Sequence, residues 1–337
     1  MAEFLIRHRR FLLLVPGLLG TPAAHAAFRD TGGGARAAAM AGAYTAVADD
    51  ADAASWNAAG PSQLNAEEYG FTHTELFAGL DGARSGVNQL SAVHPLRHGG
   101  ALGFALYDFS ASGLYREDSL AVSYSRSLNP WLPAAWDLNP RTPALFGGVN
   151  AKYLRNGFTL DAASSGDPVF SGGRTRDALS ADLGLLARWD RVSAGLSLKD
   201  VNGPDLGFQA ADRVPMETRL GAAYRSPLLF LEDALISADL WSRDGRTGYA
   251  LGWENWLLEK RAAFRLGYSD SALAFGFGWH MALPPAWDLR LDYAYQIPIQ
   301  LKDTGSGAHR VSLVVRFDPK NKKKKSQSSA RLPGRPL

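Results

Sequence analysis

Short segments in which apolar and polar residues alternate recur along most of the chain, from about Glu68 to Phe317. A period of two places alternate side chains on opposite faces of a β-sheet. We predict fourteen strands, near residues 68–78, 87–95, 100–110, 117–128, 145–156, 177–188, 190–200, 215–226, 233–243, 246–256, 260–269, 272–282, 287–297 and 307–317. Their lengths suit the roughly 9–11 residues of a tilted membrane strand, and bacterial barrels have an even number of strands.

The same alternation also fits a soluble sandwich, so the choice of a membrane barrel depends on other features. The N-terminus has the form of a secretory signal. It contains a basic stretch from Arg7 to Arg10, an apolar run from Phe11 to Leu19 and the small-x-small site Ala24-His25-Ala26. We therefore predict a signal peptide over residues 1–26 and a mature chain that begins at Ala27.

Tyrosines and tryptophans tend to lie towards the ends of the segments, as in the aromatic girdles of barrels, and the last segment ends on Phe317. The sequence after the signal contains no apolar run near the roughly 20 residues that a membrane-spanning helix needs. The predicted fold is therefore all-β, a membrane-spanning antiparallel β-barrel over residues 67–317, located in the bacterial outer membrane.

Residues 34–60 differ from everything that follows them. They are small and alanine-rich, with weak helical character, and they contain no Leu or Ile to build a core of their own. Such a segment stays ordered only inside something larger. We therefore predict that residues 27–66 form a small N-terminal helical plug seated in the barrel.

The sequence of this stretch resembles the N-terminal signature of the FadL-type outer-membrane transporters, and within them it is most similar to the PorV/PorQ-like group associated with type IX secretion. The resemblance is carried by Gly34-Ala-Arg-Ala, by Met40-Ala-Gly-Ala-Tyr-Thr-Ala-Val-Ala-Asp-Asp50 and by Ser55-Trp-Asn-Ala-Ala-Gly60. In the family the block usually ends in Asn-Pro-Ala-Gly. Here Ala58 stands in place of the proline, which would hold φ at about −65°. The plug motif comprises Asp49, Asp50, Trp56, Asn57, Ala58, Ala59 and Gly60.

The resemblance implies a fourteen-stranded barrel whose lumen is closed by the plug. It also implies passive transport of hydrophobic, fatty-acid-like small molecules, which would enter an apolar pocket beside the plug and leave sideways through the wall. Plug residues that could line this pocket are Met40, Tyr44, Val47 and Trp56. PorV-like proteins act differently, by binding secreted proteins, and this alternative stays open.

Charged residues of both signs fall on the polar face of many predicted strands. They could simply fill and hydrate the lumen and hold the plug by hydrogen bonds, because ion pairs exposed to water contribute little to stability. They could also form a gate, in which the plug acids Asp49, Asp50 and Asp52 meet arginines of the wall. The candidate gate residues of the wall are Arg219, Arg265, Arg290, Asp239 and Asp292.

The connections between strands support the same topology. The long connections 157–176 and 201–214 fall at the end opposite the plug's junction with the first strand, as extracellular loops of barrels do. One connection at the periplasmic end, 129–144, is long and rich in proline. It would lie against the inner leaflet or contain a missed pair of strands. In a secretion component, it and loop 157–176 would contact the secreted protein.

The sequence gives no support for an enzyme, a metal site or a bound cofactor. The chain of 337 residues has no cysteine, which excludes disulfides and thiolate chemistry. It also lacks a Gly-x-Ser-x-Gly motif and a dinucleotide-binding fingerprint. His94 and His98 have helical spacing, but Pro95 lies between them. The predicted partners are outer-membrane lipid and either a hydrophobic small molecule or a secreted protein.

The net charge of +3 does not indicate binding of nucleic acid. Residues 318–337 hold five Lys and two Arg, and the body of the mature chain has more acidic than basic residues. The composition of this basic tail predicts disorder. The tail would be a solvated segment, or an electrostatic tether to anionic lipid or to a periplasmic partner.

Overall fold

In the computed structural model, fourteen antiparallel strands close into one barrel, which confirms the predicted fold. The described residues are Phe28 and residues 32–78, 85–97, 99–132, 142–162, 164–226, 234–299 and 307–318. The predicted signal peptide and nearly all of the basic tail lie outside them. The strands are β1 (Glu67–Leu76), β2 (Ser85–Pro95), β3 (Gly100–Ala111), β4 (Tyr115–Ser127), β5 (Ala144–Phe158), β6 (Thr175–Arg188), β7 (Val192–Lys199), β8 (Glu217–Ser226), β9 (Ala234–Arg243), β10 (Arg246–Leu257), β11 (Ala262–Ser269), β12 (Ala272–Leu283), β13 (Trp287–Pro298) and β14 (Ala308–Phe317).

The ring closes through β14, which pairs with β13 on one side and with β1 on the other. The observed strands lie within a few residues of the predicted ones. β4 and β5 pair directly, from Tyr115 opposite Phe158 to Ser127 opposite Phe146. The ring of described strands is therefore complete without a further pair in connection 129–144, of which residues 133–141 lie outside the described ranges.

Alternation along the strands separates an apolar outer surface from a polar inner one. On β14, Val311 and Leu313 are 44% and 40% exposed, whereas Ser312 between them is 1% exposed. Large apolar side chains are exposed in the same alternating way on strands all around the ring. The outer wall therefore has the apolar surface that a lipid bilayer solvates.

Residues 34–66 occupy the lumen as the plug. They form two short helices, α1 (Ala35–Ala39) and α2 (Ala53–Trp56), and a 3₁₀ turn over Gly60–Gln63, and nearly all of them are buried. Neither helix, nor any other helix in the described ranges, has the length and apolar character needed to cross a membrane.

Glycines of the wall give the plug its room. A Cβ added to Gly148 would collide with the Ala58 carbonyl group, and one added to Gly195 would collide with the Thr45 carbonyl group. Other inward-facing glycines whose Cβ would press on plug atoms are Gly184, Gly221, Gly252, Gly267 and Gly276. The plug therefore touches the strands at backbone distance, which requires residues without side chains.

The two ends of the barrel differ. At the turn end, β1 begins and β14 ends. At the loop end lie the long connections 159–174 and 200–216. Segment 200–216 folds over the lumen rather than outwards, because Leu206 and Val214 are almost fully buried there.

The wall is least regular beside this segment. β6 pairs with β5 along nearly its whole length, but it pairs with β7 only from Leu183–Leu198 to Arg188–Ser193. The chain then leaves the sheet at Asp200, whose φ is 54°. We use the name "seam" for residues 175–182 of β6 together with residues 200–202 beside them.

The seam is held by side-chain as well as backbone hydrogen bonds. The amide of Val201 donates to the Ala181 carbonyl at 3.0 Å. The Asn202 side chain accepts from the Ala181 amide at 3.2 Å and donates to the Leu179 carbonyl at 2.8 Å. Asn202 thus takes over part of the hydrogen bonding that a neighbouring strand would supply.

Candidate functional site

A network of buried ion pairs centred on Arg36 joins the plug to the wall. Arg36 contacts Glu254 of β10 twice, with Nε 2.7 Å from Oε2 and Nη2 2.8 Å from Oε1. Its Nη1 lies 2.6 Å from Asp49 Oδ1 and donates to the Tyr44 hydroxyl at 2.7 Å. Glu254 also accepts from Arg265 Nε at 2.7 Å. Two-point pairs between guanidinium and carboxylate are strong and directional, so they fix α1 against β10.

The predicted gate residues all face the lumen, but they meet the plug acids only in part. Arg290 Nη2 lies 2.9 Å from Asp50 Oδ2, as the gate hypothesis expects. Arg265 contacts acids of the wall instead, Glu254 and Asp292, the latter at 2.8 Å. The plug also contributes a cation, Arg36, which contacts Glu254 of the wall and which sequence analysis did not single out.

The other two gate candidates hold the plug backbone. Arg219 Nη1 donates to the Gly42 carbonyl at 3.3 Å. Asp239 Oδ2 accepts from the amides of Tyr44 and Thr45 at 3.2 and 3.0 Å, and from the Thr45 hydroxyl at 2.6 Å. The contacts fix the turn after α1 on β8 and β9.

The plug acids differ in how their charge is balanced. Burial alone would raise the pKa of Asp49, but Arg36 and Arg225 hold it below its ordinary value. Asp52 accepts from Ser91 Oγ at 2.8 Å and from Gln89 Nε2 at 3.2 Å, both on β2. Burial, followed by the charge of neighbouring Asp50, raises the pKa of Asp52 to about 7.

The four predicted pocket residues come together, but as a packed cluster. Met40, Tyr44, Val47 and Trp56 belong to one buried core with Leu235 of β9. The rings of Tyr44 and Trp56 meet edge to face at 5.9 Å, and Trp56 Nε1 donates to the Gly33 carbonyl at 2.8 Å. Val47 borders a cavity of about 20 Å³. Their role in binding a ligand stays a prediction.

The end of the plug motif is held by its asparagine. Asn57 Nδ2 donates to the carbonyls of Thr45 and Leu185, both at 3.0 Å, and Asn57 Oδ1 accepts from the Ala59 amide at 3.0 Å. Ala58, which stands where the family has proline, lies directly against Gly148 of β5. Contact with the wall therefore fixes this corner without the proline ring.

An aromatic cluster at the loop end was not found by sequence analysis. It consists of Phe109, Tyr115, Phe158, Phe170 and Phe208, each half-buried, with ring centroids 4.9–6.3 Å apart. Three of them lie near the loop-end termini of β3, β4 and β5, and the other two lie in the long connections 159–174 and 200–216. No sequence signal joins residues so far apart in the chain.

A second apolar cluster lies next to the aromatic one. It consists of Phe28, Leu154, Leu206 and Val214, all buried, with Ala178 of β6 packed against it. Leu154 is four residues before Phe158 on β5, so the two clusters follow one another along the inner face of the wall. Ala178 belongs to the seam, so this apolar surface reaches the least regular part of the wall.

Below the second cluster, towards the plug, the lining becomes polar. A cavity of about 30 Å³ lies between α2 and strands β2 to β7, and its lining includes Ser119, Asn150, Lys152, Asp182 and Lys199. A larger cavity of about 290 Å³ opens at the turn end, where charged side chains such as Arg290 and Glu68 dominate the lining.

Within the described ranges, no group of three His, Cys, Asp or Glu residues is placed to hold a metal ion. Of the histidine pair weighed from the sequence, His94 Nδ1 lies 3.1 Å from Glu67 Oε1. His98 is outside the described residues.

The chain matches no family model and no curated protein. It does match solved structures of FadL-family hydrocarbon transporters. The CymD monoaromatic hydrocarbon channel is 12% identical, with a TM-score of 0.54, and the match covers 87% of this chain and 99% of CymD. The toluene transporter TbuX of Ralstonia pickettii is 13% identical, with a TM-score of 0.52 and coverage of 86% and 98%.

The toluene transporter TodX of P. putida is also 12% identical, with a TM-score of 0.54 and coverage of 85% and 98%. At these identities the likeness establishes a common fold. None of the three is a PorV/PorQ-like protein. These matches therefore do not show the resemblance to that group that the plug sequence carries.

Proposed function

We propose that this protein is a passive conduit for hydrophobic small molecules across the bacterial outer membrane, with its loop end facing outwards. The observation that carries the proposal is the succession of two apolar clusters at the loop end, with Asn156 between them on the inner face of β5. The aromatic cluster of Phe109, Tyr115, Phe158, Phe170 and Phe208 leads inwards to the cluster of Phe28, Leu154, Leu206 and Val214. A half-buried aromatic surface facing water is where an apolar molecule would first bind.

The molecule would leave through the wall rather than along the barrel axis. Towards the turn end the lumen is filled by the plug and lined by charged groups, which an apolar molecule crosses unfavourably. The seam lies beside the second apolar cluster and is held partly by the Asn202 side chain. Separating the seam would open a sideways path while the plug stays bound to β10–β13.

The aromatic cluster gives the first test. Replacing both Phe170 and Phe208 by Ala should lower uptake of radiolabelled toluene or decanoate by cells expressing the protein, by roughly tenfold, because two large apolar contacts are lost. A matched control is Trp131→Ala, which removes a 66% exposed aromatic ring near the turn end and should leave uptake unchanged. Equal uptake by the double variant and the parent would refute the proposal.

The proposal also includes the plug and the candidate gate residues. Residues 27–66 would close the lumen of barrel 67–317 after removal of signal peptide 1–26, and an intact mass beginning at Ala27 would support that division. The gate residues Arg219, Arg265, Arg290, Asp239 and Asp292 would keep the plug closed. The tail 318–337 is proposed to stay in the periplasm, outside the barrel.

The resemblance of the plug sequence to PorV/PorQ-like proteins suggests an alternative function, which is the binding of secreted proteins. The solved structures that share the fold are hydrocarbon channels and transporters, and no contact surface for a polypeptide is evident among the described residues. We therefore rank the small-molecule conduit first. A secreted protein that co-purifies stoichiometrically with the barrel would reverse this order.

A further inference from the structure

Glu68, near the start of β1, carries a buried carboxylate that the surrounding protein does not satisfy. The residue is only 7% exposed and lines the cavity of about 290 Å³ at the turn end. Its Oε2 has no hydrogen-bond partner among the residues that the structure describes. Its Oε1 lies 3.9 Å from Arg316 Nε, which is beyond hydrogen-bond distance. Because buried polar groups are nearly always hydrogen-bonded, Glu68 requires a donor that the described residues do not provide.

Arg316 of β14 lies opposite Glu68 in the sheet, and it too keeps an unused donor. Asp288 of β13 is its other neighbour in the sheet. Arg316 Nη2 donates to Asn65 Oδ1 at 2.8 Å, which holds the guanidinium group in place, whereas the buried Nε has no hydrogen-bond partner in the described ranges. Arg316 also lines the cavity. An unused acceptor and an unused donor therefore lie side by side on the cavity wall.

This pair of groups determines which ligand chemistry fits. A carboxylate or a phosphate group accepts hydrogen bonds but cannot donate to Glu68, and the two negative charges would repel each other. An ammonium group donates but cannot accept from Arg316. A hydroxyl group does both, because it has one donor and two acceptor sites. Glu68 and Arg316 together therefore favour a neutral ligand that carries hydroxyl groups.

The rest of the cavity suits such a ligand. Its lining has five positive and three negative side chains, and several of them already pair, such as Arg225 with Asp49 at 3.0 Å. The lining also includes Trp256, whose ring lies 5.7 Å from the buried guanidinium group of Arg265. Small-molecule sites combine an aromatic surface with a few fixed polar groups, in volumes from roughly 300 Å³ upwards. A sugar ring has hydroxyl groups at its edge and C–H groups on its face, so it matches both parts of the lining.

We propose that the turn-end cavity binds a sugar residue, with one hydroxyl group between Glu68 and Arg316 and the ring against Trp256. In the orientation proposed above, this end of the barrel faces the periplasm. The sugar would come from a glycan strand of the cell wall or from a free saccharide, which offer the same hydroxyl chemistry. The site lies at the opposite end of the lumen from the two apolar clusters, so it adds a function to the conduit and does not depend on it.

The test measures the binding of three neutral probes to the purified full-length barrel, in a detergent without a sugar head group. The probes are tetrameric N-acetylglucosamine, maltotetraose and the blocked peptide acetyl-tetraglycine amide, and isothermal titration calorimetry gives their affinities. We expect at least one of the two sugars to bind roughly tenfold more tightly than the peptide. Binding of the N-acetylglucosamine tetramer alone would assign the site to a cell-wall glycan. Binding of maltotetraose, alone or in addition, would assign it to free saccharides.

Two substitutions locate the site. Glu68→Gln replaces the carboxylate by a neutral group of the same shape and should weaken sugar binding by roughly tenfold, because hydrogen bonds to charged groups are stronger than neutral ones. It should not lower the urea midpoint of unfolding, because Glu68 Oε2 accepts no hydrogen bond that the variant would lose. Arg316→Met removes the donor and should weaken sugar binding by a similar factor.

The control variant is Glu67→Gln. Glu67 precedes Glu68 on β1, but its carboxylate lies outside the cavity and accepts from the exposed Tyr69 hydroxyl at 3.0 Å, so sugar binding should not change. Sugar binding that is unaffected by both Glu68→Gln and Arg316→Met would overturn the assignment. So would tighter binding of the peptide than of either sugar, or a failure of both sugars to bind. The conduit has a separate test in toluene uptake, so it would stand in each of these cases.

Discussion

The plug and the wall are held together very differently in two regions of the barrel. Over β10 to β13, which we call the anchored sector, a chain of buried ion pairs runs through Arg36, Glu254, Arg265, Asp292, Arg290 and Asp50. At the seam, residues 175–182 of β6 do not pair with β7. The neighbouring segment is held by hydrogen bonds from Val201 and Asn202 and by one buried cation, Lys152, which lies between Asp182 and Asp200.

The difference indicates which part can open. Removing one member of a buried ion pair is strongly destabilising, because the partner is left charged and unpaired. A neutral hydrogen bond contributes only about 0.5–1.5 kcal/mol. In the proposed transport, the seam opens while the anchored sector keeps the plug in place, because the seam has one buried cation, Lys152, and the anchored sector has three paired arginines. Each of the following variants breaks one region without the other.

The largest effect is expected in the anchored sector. Glu254→Gln removes the carboxylate shared by Arg36 and Arg265, both of which are buried. The loss should lower the free energy of unfolding by about 3–5 kcal/mol. Urea-induced unfolding in detergent micelles, followed by tryptophan fluorescence, measures it.

A matched control is available on the outer surface. Asp177→Asn breaks an ion pair with Arg155 in which both side chains are more than 40% exposed. Such pairs contribute little, so this variant should unfold like the parent. If Glu254→Gln were as stable as Asp177→Asn, the plug would not be held by the charged network.

A smaller effect is expected at the seam. Asn202→Ala removes three hydrogen bonds to β6 and should speed hydrogen exchange of the amides at 179–182 by roughly tenfold, consistent with about 1 kcal/mol. Toluene uptake should rise rather than fall, because the sideways path opens more often.

Asn129→Ala is the matched control variant for Asn202→Ala. Asn129 also bonds backbone groups, accepting from the Leu145 amide at 2.7 Å and donating to the Pro143 carbonyl at 3.2 Å, but it lies at the turn end. Its replacement should leave exchange at 179–182 and uptake unchanged. Increased uptake by both variants alike would mean that the seam is not the path.

The last effect depends on pH. The pKa of Asp52 rises from 3.8 to about 7 in the folded protein, so between about pH 4 and pH 7 the folded state binds more protons than the unfolded one. The contribution of Asp52 to stability therefore falls as the pH rises through this window and changes little above it. The exchange of the plug amides, corrected for the intrinsic base-catalysed rise of amide exchange with pH, should accelerate accordingly.

Asp52→Asn mimics the protonated form and should remove this acceleration, while the anchored sector keeps its ion pairs. Plug amides that exchange with the same pH dependence in the parent and the variant would assign the effect to another group. Comparing the parent with Asp52→Asn thus shows whether the pH dependence arises on the β2 side of the plug, where Asp52 contacts Ser91 and Gln89, or on the β10–β13 side.

The strands could be predicted because their signal is local. Inward residues face the plug or the lumen and outward residues form the largely apolar outer surface, so every strand repeats the alternation by itself. The gate was predicted only in part. Arg290 does meet Asp50, but nothing in the sequence pairs Arg36 with Glu254, which is 218 positions away. That contact depends on how the closed barrel rotates β10 towards α1.

The aromatic cluster at the loop end could not be predicted from the sequence either. Phe109, Phe158, Phe170 and Phe208 come from two strands and two connections, and their spacing carries no pattern. The predicted pocket residues, by contrast, do cluster, because they lie within one short segment. The structure packs them against each other and against Leu235, and their role in lining a ligand pocket stays a prediction.

The sequence by itself determined the fourteen-stranded barrel and the presence of a distinct segment inside it, because alternation and composition are properties of neighbouring residues. The tertiary structure decided where the plug is anchored, where the wall is weak and which aromatic side chains meet at the loop end. Those features arise when the sheet closes, since closure brings together charges and aromatic rings that are far apart in the chain.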